Sequence, residues 1–169
     1  GDVLERKWVG WMGPEPPENT ITLVETFTSI QGEGNMIGVA SHFIRSSQCN
    51  LRCSWCDTTY SFNPEKEGHT VHQIDEIVKG ALASGVKHIV LTGGEPTIQP
   101  NLGKLVMALK AEDFHVTIES NATIFRDDCL SCDLWSFAPK LTGSNTTFDH
   151  EAMRNYAHWY TVLQNPDWM

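Results

Sequence analysis

Cys49, Cys53 and Cys56 stand within eight residues of one another, in a Cys-x3-Cys-x2-Cys spacing. Three thiolates on one short loop can each take a corner of an iron–sulfur cubane, which leaves the fourth iron without a protein ligand. A cluster built only for electron transfer takes four protein ligands, commonly all cysteine. An open iron is what chemistry needs, because a substrate or cofactor can bind there. The structural alternative is a zinc knuckle, which wants four nitrogen or sulfur ligands in a closed tetrahedron. Cys129 and Cys132 form a Cys-x2-Cys half-site, but it lies on a different loop and would overfill the site. For that pair, plain buried or surface thiols are the expectation. An odd total of five cysteines, three of them crowded together, argues against a disulfide framework and for a reducing compartment.

Other segments carry candidate chemistry that is weak when taken alone. Gly93-Gly94-Glu95-Pro96 lets backbone approach a ligand closely, and it also reads as an ordinary strand-to-helix turn. Gln31-Gly32-Glu33-Gly34 is by itself a flexible turn, Arg45 a cation at a strand end, and Thr58 a hydroxyl bonding its own loop. The seven histidines are scattered, with His69 and His72 the only close pair, and core or solvated roles suit them.

These residues must be held by regular elements. Ile21 to Ile30 and Val39 to Ser46 are rich in β-branched and aromatic residues and read as strands. Val71, Ile74, Ile77, Val78, Ala81 and Leu82 give a helical stripe, capped by Thr70 with Gln73 and ended by Gly85. Lys87 to Thr92 reads as a buried strand, and Leu102, Leu105, Val106 and Leu109 as a second helix. Strands follow at Phe114 to Glu119 and Leu134 to Phe137, then a helix at Phe148 to Tyr156 and a last strand at Trp159 to Leu163. Alternating strands and helices imply βαβ units, a parallel sheet and right-handed crossovers. The cysteine loop, Gly93 to Pro96, Glu119 to Asn121 and Pro139-Lys140 all follow strands, so they gather at one rim, where such sheets do their chemistry.

Bulk properties narrow the class. The chain has 169 residues, with 40% apolar and 20% charged residues, as expected for one globular domain. A net charge of −9 argues against a phosphate-tracking surface, so no nucleic-acid partner is expected. No apolar run reaches membrane-spanning length and the start does not resemble a signal peptide, which points to a cytoplasmic protein with no membrane partner. Residues 1–20, with Pro14, Pro16 and Pro17, read as an N-terminal extension that Trp8 and Trp11 could pack back; residues 21–169 read as the functional domain.

The cysteine spacing, with an aromatic residue before the last cysteine and Gly-Gly-Glu-Pro after the next strand, resembles the radical S-adenosylmethionine (SAM) superfamily. Ser29-Ile30-Gln31-Gly32-Glu33-Gly34, Phe43-Ile44-Arg45 and Cys56-Asp57-Thr58 narrow the resemblance to the 7-carboxy-7-deazaguanine synthase family of the deazapurine pathway, as in queuosine biosynthesis, over about residues 25 to 140. The resemblance implies an α/β fold, a partial, open (β/α)6-type barrel. It implies a 4Fe–4S cluster on Cys49, Cys53 and Cys56, with SAM chelating the open iron and being cleaved to a radical. That radical would take hydrogen from C6 of 6-carboxytetrahydropterin, and a lyase-type ring contraction with loss of ammonia would give 7-carboxy-7-deazaguanine.

Site roles follow from the same resemblance, position by position. Trp55, Asp57, Gly93, Gly94, Glu95, Glu119, Asn121, Ala138 and Lys140 would lie beside SAM, with Glu95 accepting from its ammonium. Ile30, Gln31, Gly32, Glu33, Arg45 and Thr92 would contact the pterin, Arg45 forking onto its carboxylate and Glu33 bonding its guanidine-like edge. Thr58 matches a Mg²⁺-binding threonine. An electron donor such as flavodoxin and a homodimer are implied as partners.

The chain departs from the family pattern in three places. Gln48 replaces a common Gly before the first cysteine, and Ala138-Pro139-Lys140 replaces Ser-Pro-Lys, losing a hydroxyl contact. The family also continues through a sixth strand to a substrate-reaching C-terminus, whereas this sequence stops at Met169; either the chain is shortened or its site is closed differently, and an open barrel edge would need a cover, such as a second subunit. Two alternatives fit parts of the pattern: a small radical SAM activase of a glycyl-radical enzyme, and a non-catalytic zinc or iron–sulfur module.

Overall fold

The computed structural model describes residues 11, 13–50, 68–139, 158, 159, 161 and 162. Its elements run β1 (Thr20–Ile30), β2 (Ala40–Ser46), β3 (Thr70–Gln73), α1 (Ile74–Ala83), β4 (His88–Gly93), α2 (Leu102–Ala111), β5 (His115–Ser120) and β6 (Leu134–Phe137). One open, six-stranded sheet has the order β3-β1-β2-β4-β5-β6. Strands β2, β4, β5 and β6 are parallel, as βαβ alternation predicts. The sheet is nevertheless mixed, not purely parallel: β1 runs antiparallel to both β2 and β3. The connection from β1 to β2 carries no crossover helix, and without one neighbouring strands pair antiparallel.

Strand alternation sends successive side chains to opposite faces. Ile44, Ile89, Leu91, Val116, Ile118 and Trp135 share one face and form the core with Ile74, Ile77 and Ala81 of α1 and Leu102, Leu105, Val106 and Leu109 of α2. The other face carries Phe27, Phe43, Val90 and Thr117, with no helix against it among the described residues. His88 also lies there, with Nδ1 2.6 Å from Ser41 Oγ and Nε2 2.7 Å from Thr117 Oγ1. It is a bonded core histidine, and burial holds its pKa below the usual value.

Two sequence expectations are overturned. Thr70–Gln73 does not open the first helix but forms edge strand β3 against Thr20–Leu23, leaving Val71 55% exposed. Thr70 and Val71 are β-branched, and the free edge of β1 supplies ladder partners that a helix start lacks. The helix begins at Ile74, whose N–H donates to Asn19 O at 2.8 Å, while Asp75 and Glu76 face the positive end of its dipole. The second correction concerns 159–163: residues 158, 159, 161 and 162 are helical. Trp159 is 1% exposed, lies 4.2 Å from the Trp135 ring and donates to Ile124 O, so a surface for its indole outweighed the β propensity of its neighbours. The helix expected at Phe148 to Tyr156 lies outside the described residues.

Helix α2 ends in a Schellman motif, in which Phe114 N–H donates to Leu109 O and Asp113 N–H to Lys110 O. That motif uses Phe114, which is why β5 starts one residue later than its apolar pattern suggests. Asp113 sits at the left-handed position with φ +61 and is exposed, where glycine has no steric penalty and a carboxylate opposes the helix dipole. Asp113→Gly is therefore expected to stabilise the fold by about 1 kcal/mol. Urea denaturation of both proteins measures this, and a less stable variant would refute the assignment.

Candidate active site

The segment that delivers Cys49 is laid against the turn after β4. Gly94 N–H donates to Ser46 O, and Glu95 N–H donates to Gln48 O at 2.9 Å. A Cβ on Gly94 would sit 1.9 Å from Gln48 O and 3.2 Å from Cys49 Cβ; one on Gly93 would sit 2.4 Å from Ser46 Oγ. The glycine pair is thus required by the protein's own chain, whose two strand-end loops touch backbone to backbone. Gln48 takes φ +71, the left-handed region that favours glycine. This gives a physical reason for the glycine common at that position in the family, and L residues bear a cost of about 1–2 kcal/mol there. Cys49 is a partly exposed cysteine at this junction. A soft thiolate on a loop fixed by backbone bonds suits an iron–sulfur ligand.

Glu95, expected to accept from an ammonium, is buried at 1% exposure with both oxygens engaged inside the protein. Oε1 accepts from Thr97 N, Thr97 Oγ1 and Ser120 Oγ, and Oε2 from Asn121 N at 2.8 Å. Burial pushes its carboxyl above the usual range, and these four bonds only partly oppose that. The effect is to clamp the β4 loop to the end of β5. Sequence reasoning missed two residues that complete the clamp. Gln99, fully buried, pairs with both backbone groups of Thr22 and donates to Ser47 O. Arg126 donates to the carbonyls of Thr97, Gln99 and Pro100 while holding Asp128 through two bonds of 2.8 Å. Neither residue type carried a motif signal.

A polar row crosses the face opposite α1 and α2. Glu25, Arg45 and Thr92 are register partners on β1, β2 and β4, Glu25 reaching its place through a bulge after Leu23. Thr92 Oγ1 donates to Glu119 Oε2 on β5 at 2.9 Å, and Glu119 neighbours Ser136 on β6. Arg45 pairs with Glu25 at 2.9 Å, and its guanidinium lies 5.8 Å from the centre of the Phe27 ring, which stacks on Phe43. The 31–39 loop leaves β1 beside the start of β2, at the opposite end of the sheet from Cys49, and folds over this face. Gln31, 2% exposed, donates to Glu119 Oε1 at 3.1 Å, and Gly34 approaches Ser136. The Gln31 side-chain oxygen Oε1 accepts from Gly32 N–H and Glu33 N–H, fixing the turn.

Glu119 therefore stands with Gln31 and Thr92, residues expected on the substrate side, and beside the Glu33 carboxylate. Ile30 is 59% exposed and pairs with Ala40 at the far end of β1, so it is not brought into this group. Asn121 lies at the rim beside Asn50, and Ala138 N–H donates to Ser120 O. Cys53, Trp55, Cys56, Asp57, Thr58 and Lys140 lie outside the described residues. Cys129 and Cys132 are core thiols: their sulfurs donate to Asp128 and to Leu134 O, and burial pushes both up, Cys132 to about 12. Buried thiols so reluctant to ionise are poor metal ligands.

Burial raises the Glu119 carboxyl, the bonds from Gln31 and Thr92 oppose that, and the Glu33 carboxylate raises it further. Between the ordinary value, about 4.3, and the raised folded value, the folded protein holds a proton that the unfolded chain has lost. Stability contributed by this group consequently falls as pH climbs through that window. Glu119→Gln is expected to abolish this component: relative to the variant, wild type loses stability as pH rises, measured by urea denaturation at a series of pH values. A stability difference independent of pH would refute it.

Comparison with known proteins follows this geometry. A 7-carboxy-7-deazaguanine synthase of Rhodopirellula baltica is 46% identical over 128 residues, covering 75% of this chain and 48% of the relative. One of Halobacterium salinarum is 40% identical over 140 residues, covering 82% of this chain and 51% of the relative. The chain thus spans about half the length of the curated relatives it matches. The crystal structure of QueE from Escherichia coli superposes with a TM-score of 0.67 at 25% identity, covering 82% of this chain and 68% of that one. The family model of the radical SAM superfamily matches residues 43–134, which take in the end of the strand leading to Cys49, the cysteine loop, the glycine turn and Arg45, Thr92 and Glu119 of the polar row. With more than half of its length in that match, this chain belongs to the radical SAM superfamily.

Proposed function

We propose that this chain carries the reaction centre of a 7-carboxy-7-deazaguanine synthase, converting 6-carboxy-5,6,7,8-tetrahydropterin to 7-carboxy-7-deazaguanine with loss of ammonia. The observation that carries this reading is the polar row, in which Arg45, paired with Glu25, and the Glu119 carboxylate stand on either side of Thr92 on neighbouring strands. A ligand with a carboxylate at one end and a donor-rich, guanidine-like edge at the other is complementary to that row. The names of the relatives support the same substrate class.

In this reading Cys49, Cys53 and Cys56 would hold a 4Fe–4S cluster, and Thr58 would be a ligand for Mg²⁺. Bound there, the cluster with SAM would supply one-electron chemistry. The chain's own residues do the rest. Gly93 and Gly94 let the loop after β4 lie backbone to backbone against the segment before Cys49, and Trp55, Asp57, Asn121, Ala138 and Lys140 would line the SAM side. Arg45 orients the substrate carboxylate, and Thr92 with Gln31, Gly32 and Glu33 positions the ring. Glu119, its carboxyl raised by burial, holds or accepts a proton at its Oε atoms beside the donor-rich edge. The 31–39 loop, folded over the same face, keeps water from the reacting atoms. Residues 21–169 would form this domain, with 1–20 as an extension. A cytoplasmic homodimer reduced by a donor such as flavodoxin goes with this assignment.

The test is anaerobic cluster reconstitution followed by mass spectrometry of the pterin reaction. Deazaguanine product is expected only with SAM, reductant and Mg²⁺ together, and no product from fully loaded protein would overturn the reading. Arg45→Lys is expected to raise KM for the pterin about tenfold, as loss of a charge-assisted fork implies, with KM for SAM unchanged. An unchanged pterin KM would remove Arg45 from the site.

A further inference from the structure

Asn50, the residue after the first cysteine, is tied to the end of β5 by a closed ring of side-chain hydrogen bonds. Asn50 Nδ2 donates to Thr123 Oγ1 at 2.8 Å, Thr123 Oγ1 donates to Asn121 Oδ1 at 2.7 Å, and Asn121 Nδ2 donates to Asn50 Oδ1 at 3.1 Å. Each of the three donates once and accepts once within the ring, so the bonds run in one direction. A backbone group sets that direction. Thr123 N–H, which can only donate, faces Asn121 Oδ1 at 3.1 Å. Oxygen must therefore stand there, so the Asn121 nitrogen faces Asn50, and the Asn50 nitrogen faces the Thr123 hydroxyl. Chains of hydrogen bonds that run one way polarise and strengthen one another.

Two further observations show that the ring is held in place. Asn121 N–H donates to the buried Glu95 carboxylate, which links the ring to the glycine turn against which Cys49 lies. Between the two ring members Asn121 and Thr123, Ala122 is kept at φ +62 with 1% exposure, a conformation rare for a residue with a Cβ and maintained only where its surroundings dictate it. The connection spans 73 positions of sequence, from the cysteine loop to the loop after β5.

We propose that Asn50 and Thr123 are positioning residues of the cluster site: their ring with Asn121 holds the chain at Cys49 in its ligating arrangement before iron arrives and restrains it afterwards. This rests on the reading of Cys49 as a cluster ligand. Neither residue touches a reacting atom; both act through the orientation of the loop.

The test compares wild type with Thr123→Val, which keeps the shape and removes the hydroxyl, and Thr123→Ser, which restores it. All are reconstituted anaerobically, then followed for iron release to a chelator and for the electron paramagnetic resonance spectrum of the reduced cluster with and without SAM. Thr123→Val is expected to release iron about tenfold faster than wild type, the size of effect seen when an outer partner of a metal ligand is lost. Its spectrum should shift on SAM addition differently from wild type, while Thr123→Ser behaves as wild type. The melting temperature of the iron-free Val variant should stay within about 2 °C of wild type, since no core contact is removed. If Thr123→Val does not fold, Asn50→Ala carries the same measurement from the loop side. Iron retention and spectra identical to wild type would overturn the proposal, as would iron loss from both the Val and the Ser variant. A wild-type protein that takes up no iron would instead reject the cluster reading itself, and that result is visible before any variant is compared.

Discussion

A carboxylate with 1% of its surface exposed needs donors on every side, and Glu95 has four of them, drawn from its own turn and from the end of β5. That requirement organises the rim. Because Thr97, Ser120 and Asn121 must converge on one side chain, the loops after β4 and β5 cannot move independently. The Gly93-Gly94 turn then meets the segment before Cys49 at backbone distance, so the loop after β2 joins the same unit. Arg126 completes the arrangement from the opposite sign of charge, its guanidinium gathering carbonyls from the β4 loop that the Glu95 carboxylate cannot satisfy. Burial works against the Arg126 cation, but the bond to Asp128 and the neighbouring anionic groups more than offset it. Paired in this way, two buried charges act as fasteners between loops rather than as groups open to a ligand.

The sheet divides the labour between its faces. Helices α1 and α2 and the Trp159 segment cover one face with apolar side chains, and this face supplies most of the burial that holds the domain together. The opposite face is layered along the strands: His88 with Ser41 near the start, the Phe27–Phe43 stack in the middle, and the row from Glu25 to Ser136 toward the cysteine end. A charged row survives there because each member has a partner on the adjacent strand. Glu25 offsets Arg45, and Thr92 and Gln31 bond the Glu119 carboxylate.

Rigidity and reach come from different parts of the chain. The cysteine end rests on side chains and backbone groups locked into loops, whereas the 31–39 loop comes from the far end of β1 and is tied down by Gln31 and by the approach of Gly34 to Ser136. The proposed radical reaction would use both features, a fixed centre and a cover over the face assigned to the substrate. The bulge in β1 brings Glu25 opposite Arg45.

Local chemistry was legible without coordinates. Cysteine spacing, the Gly-Gly-Glu-Pro turn and β-branched runs act over a few residues, so the amino-acid order alone marks the ligand loop, the strands β1, β2, β4, β5 and β6, and helix α2. Properties that depend on contacts between distant residues could not be read in this way. Thr70–Gln73 carries a pattern compatible with a helix, and only the open edge of β1 decided that it would be a strand. Trp159 sits in a run with strand propensity, and only the aromatic surface of β6 and its surroundings set the helical conformation of residues 158, 159, 161 and 162. Gln99, Arg126 and the Asn50–Thr123–Asn121 ring carry no motif, since each is defined by partners brought together in the fold. The sequence determined which atoms are available for chemistry, because residue type and short spacing are written in it. The tertiary structure alone decided which of them are buried, and so which carboxylates and amides are engaged as fasteners and which remain to meet a ligand, because burial and pairing are properties of the folded chain.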